Sequence, residues 1–166
     1  NKAIDENSRL EQMIDNILNA SRLENKALDP TKEHINFNLL SNQIKKRFSA
    51  LSGTAEIQLE IEKDLLVFAD HQMVSSVLSN LMENALKYAD KNSPIIIYGH
   101  TAPNKSVIFG VKDHGPGIPK ELRQDVFKKF FRMENEETRS QKGTGLGLYI
   151  VSQLVEIQGG TIRCID

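Results

Sequence analysis

The chain has 166 residues, 39% hydrophobic and 26% charged, with a net charge of −1, so no global field points to nucleic acid or an anionic membrane. Cys164 is the single cysteine, which excludes an internal disulfide framework and a cysteine-rich zinc site and reads as an inert thiol. No apolar run approaches the roughly 20 residues that cross a bilayer, and no secretory signal is visible.

Residues 1–27 read as one polar helix with a narrow apolar seam: Leu10, Met13, Ile14, Ile17, Leu18, Ala20 and Leu23 recur at spacings of three and four. So narrow a stripe needs a partner, either a helix upstream, a second copy of the chain, or its own domain. The chain opens at Asn1 within this pattern, so it reads as a fragment of something longer, with room for a membrane segment upstream. Asp29-Pro30 ends the helix, because the residue before proline resists helical geometry.

His34–Phe37 reads as a strand and Leu39–Leu51 as a helix, with Leu40, Ile44 and Phe48 on one face and Gly53 as its stop. Ile57, Leu59 and Ile61 alternate with polar neighbours, and Leu65–Ala69 follows the Lys63-Asp64 turn, giving two more strands. Asp70 is placed to cap the next helix, and His71 in its first turn reads as an exposed polar residue.

That helix covers Val74–Ala89. Asn80, Asn84 and Lys87 stand at i, i+4 and i+7 on one stripe, opposite Val77, Leu78, Leu81, Met82, Ala85 and Ala89. Amide oxygens suit a hard cation such as Mg²⁺ and a lysine suits phosphate. An ordinary amphipathic helix with a solvated outer stripe gives the same pattern.

Ile95–His100 and Ser106–Lys112 read as an antiparallel hairpin. The second strand runs into Asp113-His114-Gly115-Pro116-Gly117-Ile118-Pro119, a loop whose glycines permit close approach of a ligand and whose Asp113 is an acceptor at the strand end. A plain surface turn is the other reading. Pro119 is expected to start a short helix, Lys120–Lys129, with Phe127, Phe130 and Phe131 clustered at its end before Arg132. Glu134–Lys142 has no apolar residue and reads as a lid or a solvated linker.

Gly143-Thr144-Gly145-Leu146-Gly147-Leu148 then opens onto a helix at Tyr149–Gln158, with Val151, Leu154, Val155 and Ile157 as its buried face. Alternating glycines bare backbone N–H groups where the helix dipole favours an anion. The order is neither that of a Walker loop nor that of a dinucleotide fold. Gly159-Gly160 closes the helix and Thr161–Ile165 reads as a final strand.

Four of these stretches, in this order, resemble a known family. Asn80-Leu81-x-x-Asn84-Ala85-x-Lys87-Tyr88, Asp113-x-Gly115-x-Gly117-Ile118, Phe127-x-x-Phe130-Phe131-Arg132 and Gly143-Thr144-Gly145-Leu146-Gly147-Leu148 are similar to the asparagine, first glycine, phenylalanine and second glycine boxes of sensor histidine kinases. These share an ATP site with gyrase, mismatch-repair ATPases and heat-shock chaperones. The resemblance implies an α+β fold, a two-layer α/β sandwich of the GHKL (Bergerat) type over residues 30–166. Residues 1–29 would be the second helix of a dimerisation hairpin.

Carried over by position, the resemblance implies ATP and Mg²⁺ as cofactors. Asn84, with Asn80, would ligate the metal; Lys87 would meet phosphate and Tyr88 would pack near the nucleotide. Asp113 would accept from the adenine amino group, with Gly115, Gly117 and Ile118 shaping the base pocket. Arg132 would serve the γ-phosphate or docking to the acceptor helix, and Thr144, Gly145, Leu146, Gly147 and Leu148 would cap the phosphates. Lys87 and Arg132 are thus the candidate catalytic residues.

The implied activity is transfer of the ATP γ-phosphoryl to a histidine on an upstream helix, in a homodimer joined through the N-terminal helix, with a response regulator as partner and no nucleic acid. It would be a cytoplasmic domain of a protein that is membrane-anchored or not. A non-catalytic ATP-dependent regulator or chaperone-type module is the alternative, and the Leu10–Leu23 seam disfavours a serine-directed anti-sigma kinase. Two departures stand out. None of His34, His71, His100 and His114 is followed by an acidic residue, so the acceptor is expected outside this chain. Family domains also continue past the Gly159-Gly160 pair into a hairpin, whereas this chain stops at Asp166, so an edge strand is expected to be missing.

Overall fold

The computed structural model describes residues 29–53, 55–90, 92–133 and 144–165. The expected N-terminal helix, the Glu134–Lys142 stretch and Gly143 lie outside them. Two compact units emerge, Pro30–Ile118 and Pro119–Cys164, with Ile165 grouped with the first.

The first unit runs β1 (Lys32–Asn36), α1 (Phe37–Ser49), β2 (Ile57–Ile61), β3 (Leu66–Asp70), α2 (His71–Tyr88), β4 (Ile95–Thr101) and β5 (Val107–Lys112). β1 pairs antiparallel with β3 in a two-stranded ribbon, Lys32 opposite Asp70 and Asn36 opposite Leu66. β2 pairs parallel with β4 from Ile57–Ile95 to Ile61–Gly99, and β4 pairs antiparallel with β5 from Ile96–Lys112 to Thr101–Val107. The parallel pair is possible because α2 lies between its strands in sequence and makes the crossover.

Both helices are started by side chains the sequence places there. Asn36 accepts from the Leu39 N–H at 3.0 Å, and Asp70 accepts from the Met73 N–H at 3.0 Å. The second oxygen of Asp70 takes the Thr31 N–H at 2.9 Å, tying the entry of β1 to the start of α2. The bonds to Leu39 and Met73 each satisfy a backbone donor the helix itself cannot. Glycine at position 53 takes φ +60 just beyond α1.

One apolar core joins the layers. Phe37, Leu40, Ile44 and Phe48 of α1 meet Val74, Leu78, Met82 and Ala85 of α2 over Ile35, Val67, Ile57, Ile95 and Ile97 of the strands. The Phe37 ring lies 4.9 Å from that of Phe109, in a tilted arrangement. On α2, Leu86 packs against this core, whereas Leu81 is half-buried and is not among the residues that do; the rest of the expected stripe is buried or packed on the core.

In the second unit α3 spans Gly147–Ile157, and it buries Ile150, Val151 and Leu154, with Val155 and Ile157 only half-buried. Two expectations are corrected at the level of single segments. Lys120–Lys129 is not one helix but two 3₁₀ turns, Lys120–Leu122 and Asp125–Phe127. Their closures run i to i+3, from Leu122 N–H to Pro119 and from Lys128 N–H to Asp125, and Val126 is the residue they bury. One buried side chain does not supply the face that holds successive α-turns. Thr161–Ile165 alternates in exposure as a strand would, yet it forms no strand among the described residues. Alternation sets which side chains face inward; a strand also needs a neighbouring backbone to bond.

Candidate functional site

Asn80, Asn84, Lys87 and Tyr88 on α2, and Asp113, Gly115, Gly117 and Ile118 after β5, belong to the first unit. Arg132 and Thr144, Gly145, Leu146, Gly147 and Leu148 belong to the second.

On α2 the buried residues Val74, Leu78, Met82 and Ala85 fix the helix rotation, which leaves Asn80, Asn84 and Lys87 half-buried. The amide nitrogen of Asn80 donates to the Ser76 carbonyl at 2.9 Å. Its oxygen end is therefore the one that can meet a cation or donor. The Lys87 ammonium sits 4.7 Å from the centre of the Tyr88 ring. That cation–π contact holds the charge at the end of the helix and is weak enough to exchange for an anion.

The loop after β5 abuts this end of α2. A Cβ on Gly115 would stand 2.7 Å from the Tyr88 carbonyl oxygen and 2.8 Å from Asp113 Oδ1, a separation that only glycine tolerates. The Gly115 N–H donates to Asp113 Oδ1 at 2.7 Å, turning the carboxylate over the loop while its second oxygen remains as an acceptor. Asp113 is exposed, so an incoming donor reaches it without rearrangement of the core. Gly117 takes φ +72 with open space around it, so there the backbone conformation and not crowding selects glycine.

In the second unit the phenylalanine cluster and the glycine-rich turn meet. The Phe130 N–H donates to the Gly145 carbonyl at 3.0 Å. A Cβ on Gly145 would lie 2.7 Å from the Phe130 carbonyl carbon, and Gly145 itself takes φ +69. Phe130 is 63% exposed and holds φ +63, an unusual setting for a bulky residue. α3 then begins without a side-chain cap, and Thr144 Oγ1 accepts from the Leu146 N–H at 3.3 Å just ahead of it. First-turn N–H groups left uncapped at the positive end of a helix suit an anion. Arg132 is exposed.

Among the described residues no group of three or more His, Cys, Asp or Glu side chains could hold a metal. A cation here would rest on amide oxygens and on oxygens of its own ligand, which fits a hard ion such as Mg²⁺. Burial pushes the Cys164 thiol above its ordinary 9.0, with Arg123 acting in the opposite direction, so the thiol is poorly nucleophilic. Among the described residues no helix is long and apolar enough to cross a membrane. The left-handed backbone at Phe130 was not legible in the sequence, because backbone sign leaves no mark in residue type.

Residues 69–166 match the family described as histidine kinase-, DNA gyrase B- and HSP90-like ATPase. The chain is 29% identical over 161 residues to the sensor protein SrrB of Staphylococcus aureus, covering 96% of this chain and 27% of that protein. It thus spans about a quarter of the length of the curated relatives it matches. Among solved structures, full-length ShkA in complex with AMPPNP aligns with TM-score 0.81 and 24% identity, over 96% of this chain and 33% of that one. The mycobacterial sensor histidine kinase MprB aligns with TM-score 0.70 and 26% identity, over 80% of this chain and 84% of that one.

Proposed function

The chain belongs to the histidine kinase-, DNA gyrase B- and HSP90-like ATPase family, and from that premise we propose that it is the ATP-binding catalytic part of a two-component sensor histidine kinase. The observation that carries this reading, independently of similarity, is the abutment of the Asp113 loop on the Tyr88 end of α2, with Gly115 against the Tyr88 carbonyl. It brings a carboxylate acceptor to the end of the helix that carries two amides and a lysine. The similarity to a sensor protein runs over 96% of the chain, well beyond the ATPase match, which favours the kinase over a chaperone-type module.

In this reading Asp113 accepts from the adenine amino group and Ile118 lines the base. Asn84 and Asn80 are the residues that would hold Mg²⁺, through their amide oxygens, and the ion would supply neutralisation of phosphate charge there. Lys87 leaves the Tyr88 ring for a phosphate oxygen, and the backbone N–H groups of Thr144–Leu148 take the negative charge at the start of α3. Arg132 stabilises the γ-phosphoryl or the docked acceptor. None of the site residues named here has to act as nucleophile: the γ-phosphoryl passes to a ring nitrogen of a histidine on an upstream helix not in this chain, ADP departs as the leaving group, and positioning and charge neutralisation supply the catalysis. A homodimer joined through the N-terminal segment, a response regulator downstream and a cytoplasmic setting complete the proposal.

Titration calorimetry with a non-hydrolysable ATP analogue and Mg²⁺ tests the site. Wild type is expected to bind, and Asn84→Ala to lose about tenfold or more, roughly 1.4 kcal/mol. No binding by the folded wild type refutes the reading. Adding a separate fragment that bears the acceptor helix, with γ-labelled ATP, is expected to put label on histidine; ATP binding without label would leave only a non-catalytic regulator.

A further inference from the structure

The β4–β5 ladder ends at the Ile96–Lys112 pair, one residue before Asp113. Asp113 is exposed and belongs to a loop that the sheet no longer holds. His114, its neighbour, reaches back across that gap. Its Nδ1 lies 3.3 Å from the carbonyl oxygen of Pro94, and its own carbonyl accepts from the Asp90 N–H at 3.4 Å. Pro94 directly precedes β4 and Asp90 stands two residues after α2, so one residue grips both ends of the turn that joins them. On its other side Gly115 rests against the Tyr88 carbonyl.

A carbonyl only accepts, so in this contact the imidazole donates through Nδ1–H. We propose that His114 is a positioning residue for Asp113: the Nδ1–H bond to Pro94 fixes the carboxylate where it reads adenine, and selectivity for adenine over guanine nucleotides depends on a donor at this position. The inference rests on the nucleotide reading above. Both contacts are at the long end for hydrogen bonds, so the effect expected is about three- to fivefold in affinity, the lower part of what one bond contributes.

Two substitutions separate the donor from the bulk of the ring. His114→Leu removes it, and His114→Asn keeps an amide nitrogen close to where Nδ1 stands. In the nucleotide-free protein, amide hydrogen exchange at Asp90 and Gly115 is expected to quicken in His114→Leu and return towards wild type in His114→Asn. In Mg²⁺ titrations His114→Leu is expected to weaken a non-hydrolysable ATP analogue while leaving the GTP analogue and inorganic triphosphate unchanged, with recovery in His114→Asn. The proposal is overturned by equal losses for ATP analogue and inorganic triphosphate, by no loss at all, or by an Asn variant as weak as the Leu one. If wild type binds no nucleotide the functional reading fails, and the adenine role of His114 fails with it. The exchange comparison still decides whether His114 holds the loop.

Discussion

Replacing Gly115 with alanine puts one methyl group into the contact between the Asp113 loop and α2. The new Cβ would lie 2.7 Å from the Tyr88 carbonyl oxygen, 2.8 Å from Asp113 Oδ1 and 3.2 Å from the Tyr88 carbonyl carbon, where ordinary contact begins at 3.4 Å. The closest approach is therefore short by roughly 0.7 Å, and the obstacle is backbone. Tyr88 is the last residue of α2, and the Ala89 N–H behind it bonds back to Ala85 at 2.8 Å, so the helix end cannot yield without losing that bond. The loop has to retreat, at an overpacking cost of about 1–3 kcal/mol. Asp113 moves with it, because its Oδ1 is both a clashing atom and the acceptor of the Gly115 N–H. Affinity for an ATP analogue should fall about tenfold, roughly 1.4 kcal/mol. Phosphotransfer should fall further, since a misplacement of about 1 Å can cost on the order of 100-fold. Gly117→Ala is the control: φ +72 with nothing within 4 Å means strain without a clash. It should lower stability by about 1–2 kcal/mol and affinity much less. Urea denaturation and calorimetry on both variants check this. Wild-type affinity in Gly115→Ala, or a larger affinity loss in Gly117→Ala, would refute the argument.

Ser41 is fully buried on α1, and its hydroxyl has no hydrogen-bond partner among the described residues, whereas Ser49 on the same helix bonds back to the Lys45 carbonyl at 2.7 Å. Ser41→Ala removes an unsatisfied group and adds helix propensity, so the urea midpoint should rise by the equivalent of about 1 kcal/mol or more; a lower midpoint would mean the hydroxyl is satisfied after all. Glu62 accepts from the Thr101 N–H at 2.6 Å, and that bond holds its carboxyl below the ordinary 4.5. A lowered native value stabilises the fold above the unfolded-state value and loses that contribution as pH falls through the native one. Glu62→Gln should accordingly unfold at lower urea than wild type at pH 7, with the gap closing in acid; a gap independent of pH would remove the carboxylate from the explanation.

Much of the first unit was legible because its signals are local. The spacing of Leu40, Ile44 and Phe48 marks α1 wherever the chain goes, and Asp70 caps α2 through an atom three residues from its partner. Alternation at Ile57, Leu59 and Ile61 marks a strand in the same way. The amide stripe, the Asp113 turn and the glycine turn before α3 stand out as candidates for a chemical reason: few side chains suit a hard cation, a base edge or a phosphate, and glycine is used where backbone must come close. The Lys120–Lys129 helix and the Thr161–Ile165 strand failed as expectations because both depend on partners outside their own segment. The first lacks a buried face to hold successive turns and the second a neighbouring backbone among the described residues.

What the sequence by itself determined, then, was the order and kind of the elements in the first unit and which side-chain types α2 and its neighbouring loops carry. Only the tertiary structure decided that Gly115 is selected by the Tyr88 carbonyl whereas Gly117 is selected by its own φ, and that His114 reaches Pro94 across a turn. Residue type records what a side chain can do; which backbone it meets depends on contacts between segments far apart in the chain, and no local pattern encodes them.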